Sequence, residues 1–236
     1  MTISVIPIFI PGLILTRDIF AVQIDGLVHP AAAKTADTLG RDSITAMAKA
    51  ALALADGPLV PVGISMGGYI AMEMARLAPQ RLAGIALLNT QHRADPPERR
   101  KQREATIDMA QSDRFRGVTR HLLQSFLSPA AMENETLVAR VIAMAEEVGR
   151  ENFVLQQRAI LGRRDQSDTL GALTVPALVL GGGLDTLTPP QASRDMAVLI
   201  PDAELVIMEE IGHLSTIEAP DEVMDILNAY LARLVA

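Results

Sequence analysis

The architecture of this chain can be predicted from one segment, Leu59-Val-Pro-Val-Gly-Ile-Ser-Met-Gly-Gly-Tyr-Ile-Ala-Met-Glu-Met74. Its first part, 59–64, is an apolar run of strand length, and residues 69–77 carry apolar side chains at helical spacing. Between them lies Gly63-Ile64-Ser65-Met66-Gly67. A strand that turns directly into a helix holds the residue at the turn in a strained conformation with positive φ. Side chains two positions before and after that residue would collide, so the glycines predict such a turn at Ser65.

The predicted turn has the features of a nucleophile site. It exposes the Ser65 hydroxyl at its tip, and the backbone N–H of Met66 faces the same space. The N-terminus of the following helix adds positive potential where an oxyanion would form. A G-x-S-x-G sequence also arises by chance in a chain rich in glycine and alanine. The strand before it and the helix after it favour the catalytic interpretation.

These residues resemble the α/β-hydrolase superfamily, in particular its small carboxylesterase-like branch. The resemblance implies a catalytic triad with Ser65 as nucleophile, followed along the chain by an acid and a base. Asp185, in Gly181-Gly182-Gly183-Leu184-Asp185 after an apolar run, matches the family's acid. His213, which follows Gly212 at the end of the last predicted strand, matches its base. Plainer interpretations stay open: a turn aspartate that bonds its own backbone, and a structural histidine.

The resemblance also implies an oxyanion hole. One donor would be the N–H of Met66, directly after the nucleophile. The second would come from Pro11-Gly12-Leu13-Ile14, where Leu13 matches the family's donor position. The family commonly has a His-Gly-x sequence there, and Pro11 stands in place of the histidine. An ordinary turn after a strand would contain the same residues.

Strand and helix patterns alternate along most of the chain, which predicts an α/β fold with a mainly parallel sheet flanked by helices. Strands are predicted at 3–10, 31–36, 59–64, 82–88, 175–180 and 204–208, about six in all. Larger members of the resembled family begin with two further strands. From Asn89 to Thr174 only helical patterns occur. We therefore predict an α/β-hydrolase core at 1–90 and 174–236, with a helical cap at 91–173 inserted after the fourth strand.

Composition excludes several classes of function. The chain has 236 residues, of which 49% are hydrophobic, and a net charge of -7, which argues against nucleic-acid or anionic-membrane partners. It has no cysteine, and its four histidines lack metal-ligand spacing. We expect no metal and no cofactor. The apolar N-terminal run lacks a preceding basic segment and is interrupted by Pro7 and Pro11, so we expect a cytoplasmic protein.

The predicted cap contains a basic cluster: Arg93, Arg99, Arg100, Lys101, Arg103, Arg114, Arg116 and Arg120. Such a cluster could dock an acidic carrier or an anionic substrate. Acidic residues are interspersed with it, which favours a solvated helix face instead. The cap also carries Met109, Met132 and Met144 with few aromatic residues, which predicts an adaptable aliphatic pocket.

Together these features predict a serine hydrolase that cleaves small to medium carboxylic esters through an acyl-enzyme. Its partner would be a small-molecule ester, and the sequence gives no indication of oligomeric state. A lactonase, a C–C hydrolase or a cofactor-free perhydrolase would use the same triad, and these alternatives stay open. So does a ligand-binding protein that kept the fold and lost turnover.

Overall fold

The structure, a computed structural model, describes residues 5–28, 33–112 and 119–235. Six strands in this part of the chain form one sheet, and every pair of neighbours is parallel. The sheet order is β2-β1-β3-β4-β5-β6. The strands are β1 (Ile6–Ile10), β2 (Lys34–Thr35), β3 (Leu59–Ile64), β4 (Ile85–Leu88), β5 (Ala177–Gly182) and β6 (Ala203–Met208). The predicted parallel sheet of about six strands is confirmed.

Helices cover both faces of this sheet, because side chains of a strand point alternately to opposite faces. One apolar cluster includes Val62 and Leu178, and the other includes Ile8 and Val179. The helices are α1 (Ala21–Asp25), α2 (Ile44–Leu52), α3 (Met66–Leu77), α4 (Pro97–Gln111), α5 (Arg120–Leu123), α6 (Pro129–Met132), α7 (Glu135–Leu161), α8 (Ser167–Gly171), α9 (Pro190–Leu199), α10 (Ser215–Glu218) and α11 (Pro220–Val235).

The first strand tolerates Pro7 because of its position in the sheet. Ile6 N–H donates to Pro58 O, beside β3. The backbone N–H groups of Ile6 and of every second residue after it therefore point toward β3, and those of the residues between them point toward β2. Pro7 belongs to the β2 side, where the pairing of the described residues begins at Ile8. Within those residues no ladder hydrogen bond is required of Pro7, and β1 begins one residue before it. The predicted strand at 31–36 is reduced to β2, with residues 31 and 32 outside the described ranges.

The helices α4 to α8 lie between β4 and β5, as predicted for an insertion after the fourth strand. Helix α7 is interrupted at Gly149, whose φ of 73° and ψ of 165° are not helical. Residues 113–118 of the predicted cap lie outside the described residues, and α5 follows them. Side chains of these helices belong to the same apolar cluster as Val62 of β3. The division into a core and a separate cap stays a prediction.

The order in which strands are added to the sheet reverses at β1. From β1 the chain goes to β2 on one side, and later to β3 on the other. In open parallel sheets such a point leaves a crevice at the carboxyl ends of the two strands. The loops that follow β1 and β3, which contain Leu13 and Ser65, meet there. Among the helices of the described residues, none is long and apolar enough to cross a membrane.

Candidate active site

Ser65 occupies the sharp turn between β3 and α3 that the sequence predicts. Its φ of 55° and ψ of -117° lie in the strained region expected for such a turn. A Cβ on Gly63 would lie 2.2 Å from Gly67 O, and one on Gly67 would lie 1.9 Å from Ile10 O. Only glycine fits at both places. The turn is further held by the Ser65 N–H, which donates to Leu88 O at 3.0 Å.

Three predicted site residues come together around this turn. His213 Nε2 lies 2.8 Å from Ser65 Oγ, and His213 Nδ1 lies 2.7 Å from Asp185 Oδ2. The carboxylate can only accept, so Nδ1 carries the proton and Nε2 is left to accept from the serine hydroxyl. His213 and Asp185 are 1% and 3% exposed, whereas Ser65 is half-buried. The serine is thus the member of this chain of hydrogen bonds that a ligand can reach.

Asp185 is held by its own loop as well as by His213. Its Oδ1 accepts from the backbone N–H groups of Leu187 and Thr188, both at 2.9 Å, which is the turn-aspartate arrangement. Thr188 lies directly before Pro189, the N-cap of α9, and its hydroxyl donates to Asp185 Oδ2 at 2.7 Å. Burial alone would raise the pKa of Asp185. The charge that His213 carries when it is protonated, its hydrogen bond and the bonds from Thr188 outweigh burial and hold the pKa of Asp185 below its ordinary value.

Asn89 is a partner of this site that the sequence pattern did not single out. It follows β4, it is fully buried, and its φ of 44° lies in the left-handed region. Its Nδ2 donates to Asp185 Oδ2 at 3.1 Å and to Gly212 O at 3.0 Å. Its Oδ1 accepts from Ser215 Oγ at 2.6 Å. Asn89 therefore joins the acid loop to the histidine loop. An asparagine directly after a buried strand is the only local signal for this role.

The backbone around His213 is fixed by Glu218 and by the segment after α5. Glu218 accepts hydrogen bonds from the N–H groups of Gly212 and Leu214, the two neighbours of the histidine, and from Ser128. The N–H of His213 itself donates to Phe126 O at 2.9 Å. The Phe126 ring meets the imidazole edge-on, with centroids 5.8 Å apart. Helices inserted between β4 and β5 thus help to orient the histidine.

The loop after β1 contains Leu13, whose N–H the resemblance implies as an oxyanion donor. Ile14 has a φ of 60°, and its N–H donates to the buried Gln156 Oε1 at 3.0 Å. The N–H of Leu13 has no acceptor among the described residues, and Leu13 lines the same cavity as Ser65. Met66 is the first residue of α3, so its N–H has no partner within the helix. Its side chain packs in the apolar core.

A cavity of about 330 Å³ opens above Ser65 and His213. The three cap methionines predicted to line it do not: Met109 is 62% exposed, and Met132 and Met144 are buried elsewhere. The prediction that these methionines line the pocket is therefore wrong, although aliphatic residues such as Leu122 and Ile160 do line it. The wall is apolar on one side and polar on the other. The cap residues that line it are Arg99, Gln102, Arg103, Thr106, Leu122, Ser125, Phe126, Phe153, Gln157 and Ile160.

The basic cluster is divided among different environments. Arg93 pairs with Asp195, and Arg120 pairs with Glu135. Arg99 and Arg103 line the cavity, whereas Arg100 and Lys101 do not. Arg114 and Arg116 lie outside the described residues. His92 is buried beside a second cavity of about 240 Å³. That cavity does not contact Ser65 or His213.

Comparison with known proteins adds an independent finding. The family described as alpha/beta hydrolase fold matches residues 41–220. The chain is 27% identical over 240 residues to a dihydrolipoyllysine-residue acetyltransferase component of an acetoin cleaving system from Pseudomonas putida. That match covers 94% of this chain and 58% of the relative, so the chain spans little more than half of that protein.

Two further similarities cover most of both partners. A pimeloyl-(acyl-carrier protein) methyl ester esterase from Photobacterium profundum is 29% identical over 199 residues, covering 82% of this chain and 78% of that protein. Among solved structures, a thermophilic esterase from Thermogutta terrifontis superposes with a TM-score of 0.90. It is 24% identical, and the match covers 100% of this chain and 92% of that one. At that identity the likeness concerns the fold.

Proposed function

The chain belongs to the α/β-hydrolase fold family, and from that premise we propose that it is a hydrolase that cleaves small to medium carboxylic esters with Ser65 as its nucleophile. One observation carries the proposal. Ser65 Oγ, His213 and Asp185 form an unbroken line of hydrogen bonds of 2.8 and 2.7 Å that ends in a cavity. The fold alone would not imply this activity, because function depends on the groups at the site.

Each residue would have a defined part in acyl transfer to water. His213 Nε2 takes the hydroxyl proton as Ser65 Oγ attacks the ester carbonyl carbon, and then delivers it to the departing alcohol. Asp185 keeps the imidazole in the required tautomer and stabilises the imidazolium that forms. A water molecule, deprotonated by His213, then attacks the acyl-enzyme carbonyl, and the acid is released as Ser65 regains its proton.

The tetrahedral intermediates carry a negative oxygen that needs donors. The N–H groups of Leu13 and Met66 are proposed for this part. Their availability supports it, because the neighbouring Ile14 N–H is already occupied by Gln156. One donor of this kind is worth roughly 3 kcal/mol of transition-state stabilisation. The similarity to the esterase from Photobacterium profundum supports an ester as substrate.

Replacing the nucleophile tests the proposal. Ser65→Ala should reduce the turnover of short-chain esters by at least about a thousandfold, because no other described group would form the acyl-enzyme. Labelling by a fluorophosphonate probe should disappear with it. Ser125→Ala is the matched control, since Ser125 lines the same cavity but its hydroxyl donates to Leu122 O. This variant should keep both activity and labelling.

Two outcomes would contradict the proposal. Ester turnover that persists in Ser65→Ala would place the nucleophile elsewhere. Absence of labelling and turnover in the unmodified protein would favour a ligand-binding protein of the same fold. Turnover of lactones would indicate a lactonase, and formation of a peracid from a carboxylic acid and hydrogen peroxide would indicate a perhydrolase. Both activities would use the same triad and differ from ester hydrolysis in the acyl donor or the nucleophile.

A further inference from the structure

The cavity above Ser65 has a polar wall with a single sign of charge. Helix α4 contributes Arg99 and Arg103 to it, and no aspartate or glutamate stands among its lining residues in the described part of the chain. The rest of this wall, Gln102, Thr106 and Gln157, is neutral. A neutral ester gains nothing from two guanidinium groups at this place. A substrate with a negative group would.

A buried carboxylate close to this wall, that of Asp95, already forms ion pairs with arginine side chains. Asp95 lies behind the wall and pairs with Arg103 at 2.9 Å and with Arg163 at 2.7 Å. Burial alone would raise the pKa of Asp95, but the hydrogen bond and charge of Arg163, with those of Arg103, hold the pKa below its ordinary value. Asp95 therefore stays charged, and one carboxylate serves two guanidinium groups. The two guanidinium groups and the one carboxylate together therefore keep a net positive charge beside the cavity.

Arg99 is the member of this wall whose charge has no counterpart. Among the described residues its guanidinium makes one hydrogen bond, a long one of 3.4 Å to the backbone oxygen of Leu187. No carboxylate among the described residues forms an ion pair with it, although Glu98 is its neighbour in sequence. The side chain is half-buried. Arg93 and Arg120, on nearby surfaces, each have a carboxylate partner.

We propose that the natural substrate is an ester that carries a free carboxylate, and that Arg99 binds this carboxylate while Ser65 attacks the ester group. The inference rests on the proposed esterase function and names its substrate class. The planar guanidinium of arginine matches a carboxylate with two parallel hydrogen bonds. Arg103 adds positive potential beside it, while its position is fixed by Asp95 and Gln157.

The size of the cavity limits how far apart the two groups can be. About 330 Å³ is at the lower end of the range for ligand pockets, which is roughly 300–1,000 Å³. Ser65 and Arg99 line this one space, so one small molecule spans both. Half-esters of short dicarboxylic acids have this form. Their hydrolysis adds water across the acyl–oxygen bond and releases the dicarboxylate and an alcohol.

The test compares two esters of the same acid. The monomethyl and dimethyl esters of succinic, glutaric and adipic acids differ only in the free carboxylate. The unmodified protein should prefer at least one monomethyl ester in kcat/KM. Arg99→Gln should lower kcat/KM for that monoester by about tenfold, the lower end expected for a partly exposed charged hydrogen bond, and leave the diester nearly unchanged. Arg99→Lys should retain part of the preference.

Arg100→Gln is the matched control. It removes the same charge from the next position of α4, where the guanidinium donates to Leu161 O and does not line the cavity. It should change both esters equally and slightly. An equal loss in Arg99→Gln and Arg100→Gln, or an unmodified protein without preference for any monoester, would overturn the inference.

A binding measurement keeps the two proposals separate. Glutarate should bind Ser65→Ala protein more tightly than Ser65→Ala,Arg99→Gln protein in calorimetry, whether or not esters are turned over. Hydrolysis of diesters that depends on Ser65, without a carboxylate preference or glutarate binding, would refute only the substrate class. Binding of glutarate through Arg99 in a protein that hydrolyses no ester would refute only the esterase function.

Discussion

Ile14 shows how a single strained residue is held in place by a distant one. A non-glycine residue with a φ of 60° costs about 1–3 kcal/mol unless its surroundings compensate. Gln156 of α7 accepts the Ile14 N–H through Oε1 and donates through Nε2 to Thr38 Oγ1 at 3.1 Å. Gln156 is fully buried, so both bonds are shielded from water. We infer that Gln156 fixes the loop that presents Leu13 to the oxyanion.

Gln156→Met should therefore affect the chemical step more than binding. Methionine fills a similar volume but offers no carbonyl acceptor, so the Ile14 N–H loses its hydrogen bond. The loop can then change conformation, and the proposed donor, the Leu13 N–H, loses its alignment. We expect kcat to fall by about tenfold or more, with KM little changed. Steady-state kinetics on one short-chain ester measures this. Thr38→Val, which removes only the outer bond, should have a smaller effect, and equal losses in the two variants would contradict the prediction.

The residues of the site were predictable from the sequence only where local geometry restricts the choice. The glycines around Ser65, the turn at Asp185 and the glycine before His213 are all local signals, and these three side chains do come together. Gln156 and Asn89 meet their partners across 142 and 96 positions of the chain. A pattern of neighbouring residues contains no information on such contacts, so these supporting residues were missed.

At the scale of the elements, a buried glutamate on α3 forms hydrogen bonds with α2 and with the residue before α8. Glu73 on α3 accepts from Arg76 at 2.8 Å, from Thr45 of α2, and from Gln166, before α8, at 2.9 Å. Burial alone would raise the pKa of Glu73, but the hydrogen bonds from Arg76, Thr45 and Gln166 lower it from 4.5 to about 2. The carboxylate form is thus favoured by folding, and its interactions stabilise the packing of α2 on α3.

This lowered pKa predicts how stability depends on pH. The stabilisation is fully present above pH 4.5, where the unfolded chain is also ionised, and is lost as pH falls toward about 2. Glu73→Gln should lower the free energy of unfolding by about 2 kcal/mol at neutral pH. The difference from the unmodified protein should shrink below pH 4.5 in urea unfolding experiments. Glu146→Gln, at an exposed position of α7, should show no such dependence. A difference that stays constant down to pH 2 would contradict the assignment.

Elements that follow a strict rhythm were predicted with small errors at their ends. β3 begins and ends where the apolar run does. The short α6 and α8 were not predicted, because four or five residues give no helical periodicity. β2 was predicted too long because a run of small apolar residues does not fix where pairing stops.

In the whole molecule, the helices between β4 and β5 do more than cover the site. Helix α7 supplies Gln156 to the loop of Leu13, the turn after α5 supplies Phe126 O to the backbone of His213, and the inserted segment lines much of the cavity. The sequence predicted that these helices are inserted after the fourth strand. It did not predict which of their side chains face the cavity, since helical spacing identifies an apolar face but not the object against which that face packs.

The cavity wall therefore gives the prediction for acyl selectivity. Phe153 of α7 is buried and lines the cavity on its apolar side. Phe153→Leu widens that side, so the ratio of kcat/KM for hexanoate over acetate esters should rise by about tenfold, within the 1–3 kcal/mol that a methylene-sized change in a pocket provides. Acetate turnover itself should change far less, because the leucine leaves Ser65 and His213 untouched. A panel of esters graded by acyl length measures the ratio.

Val154→Ala provides the matched control for this substitution. Val154 is the next residue of α7 and is about as buried as Phe153, but it does not line the cavity. It should lower stability without shifting the ratio, because the space it leaves is not open to the acyl chain. If Phe153→Leu lowers turnover of every ester alike, or if Val154→Ala shifts the ratio as much, selectivity does not arise at this wall. The acyl chain would then have to be sought beside the loop of Leu13 and Ile14, which also line the cavity.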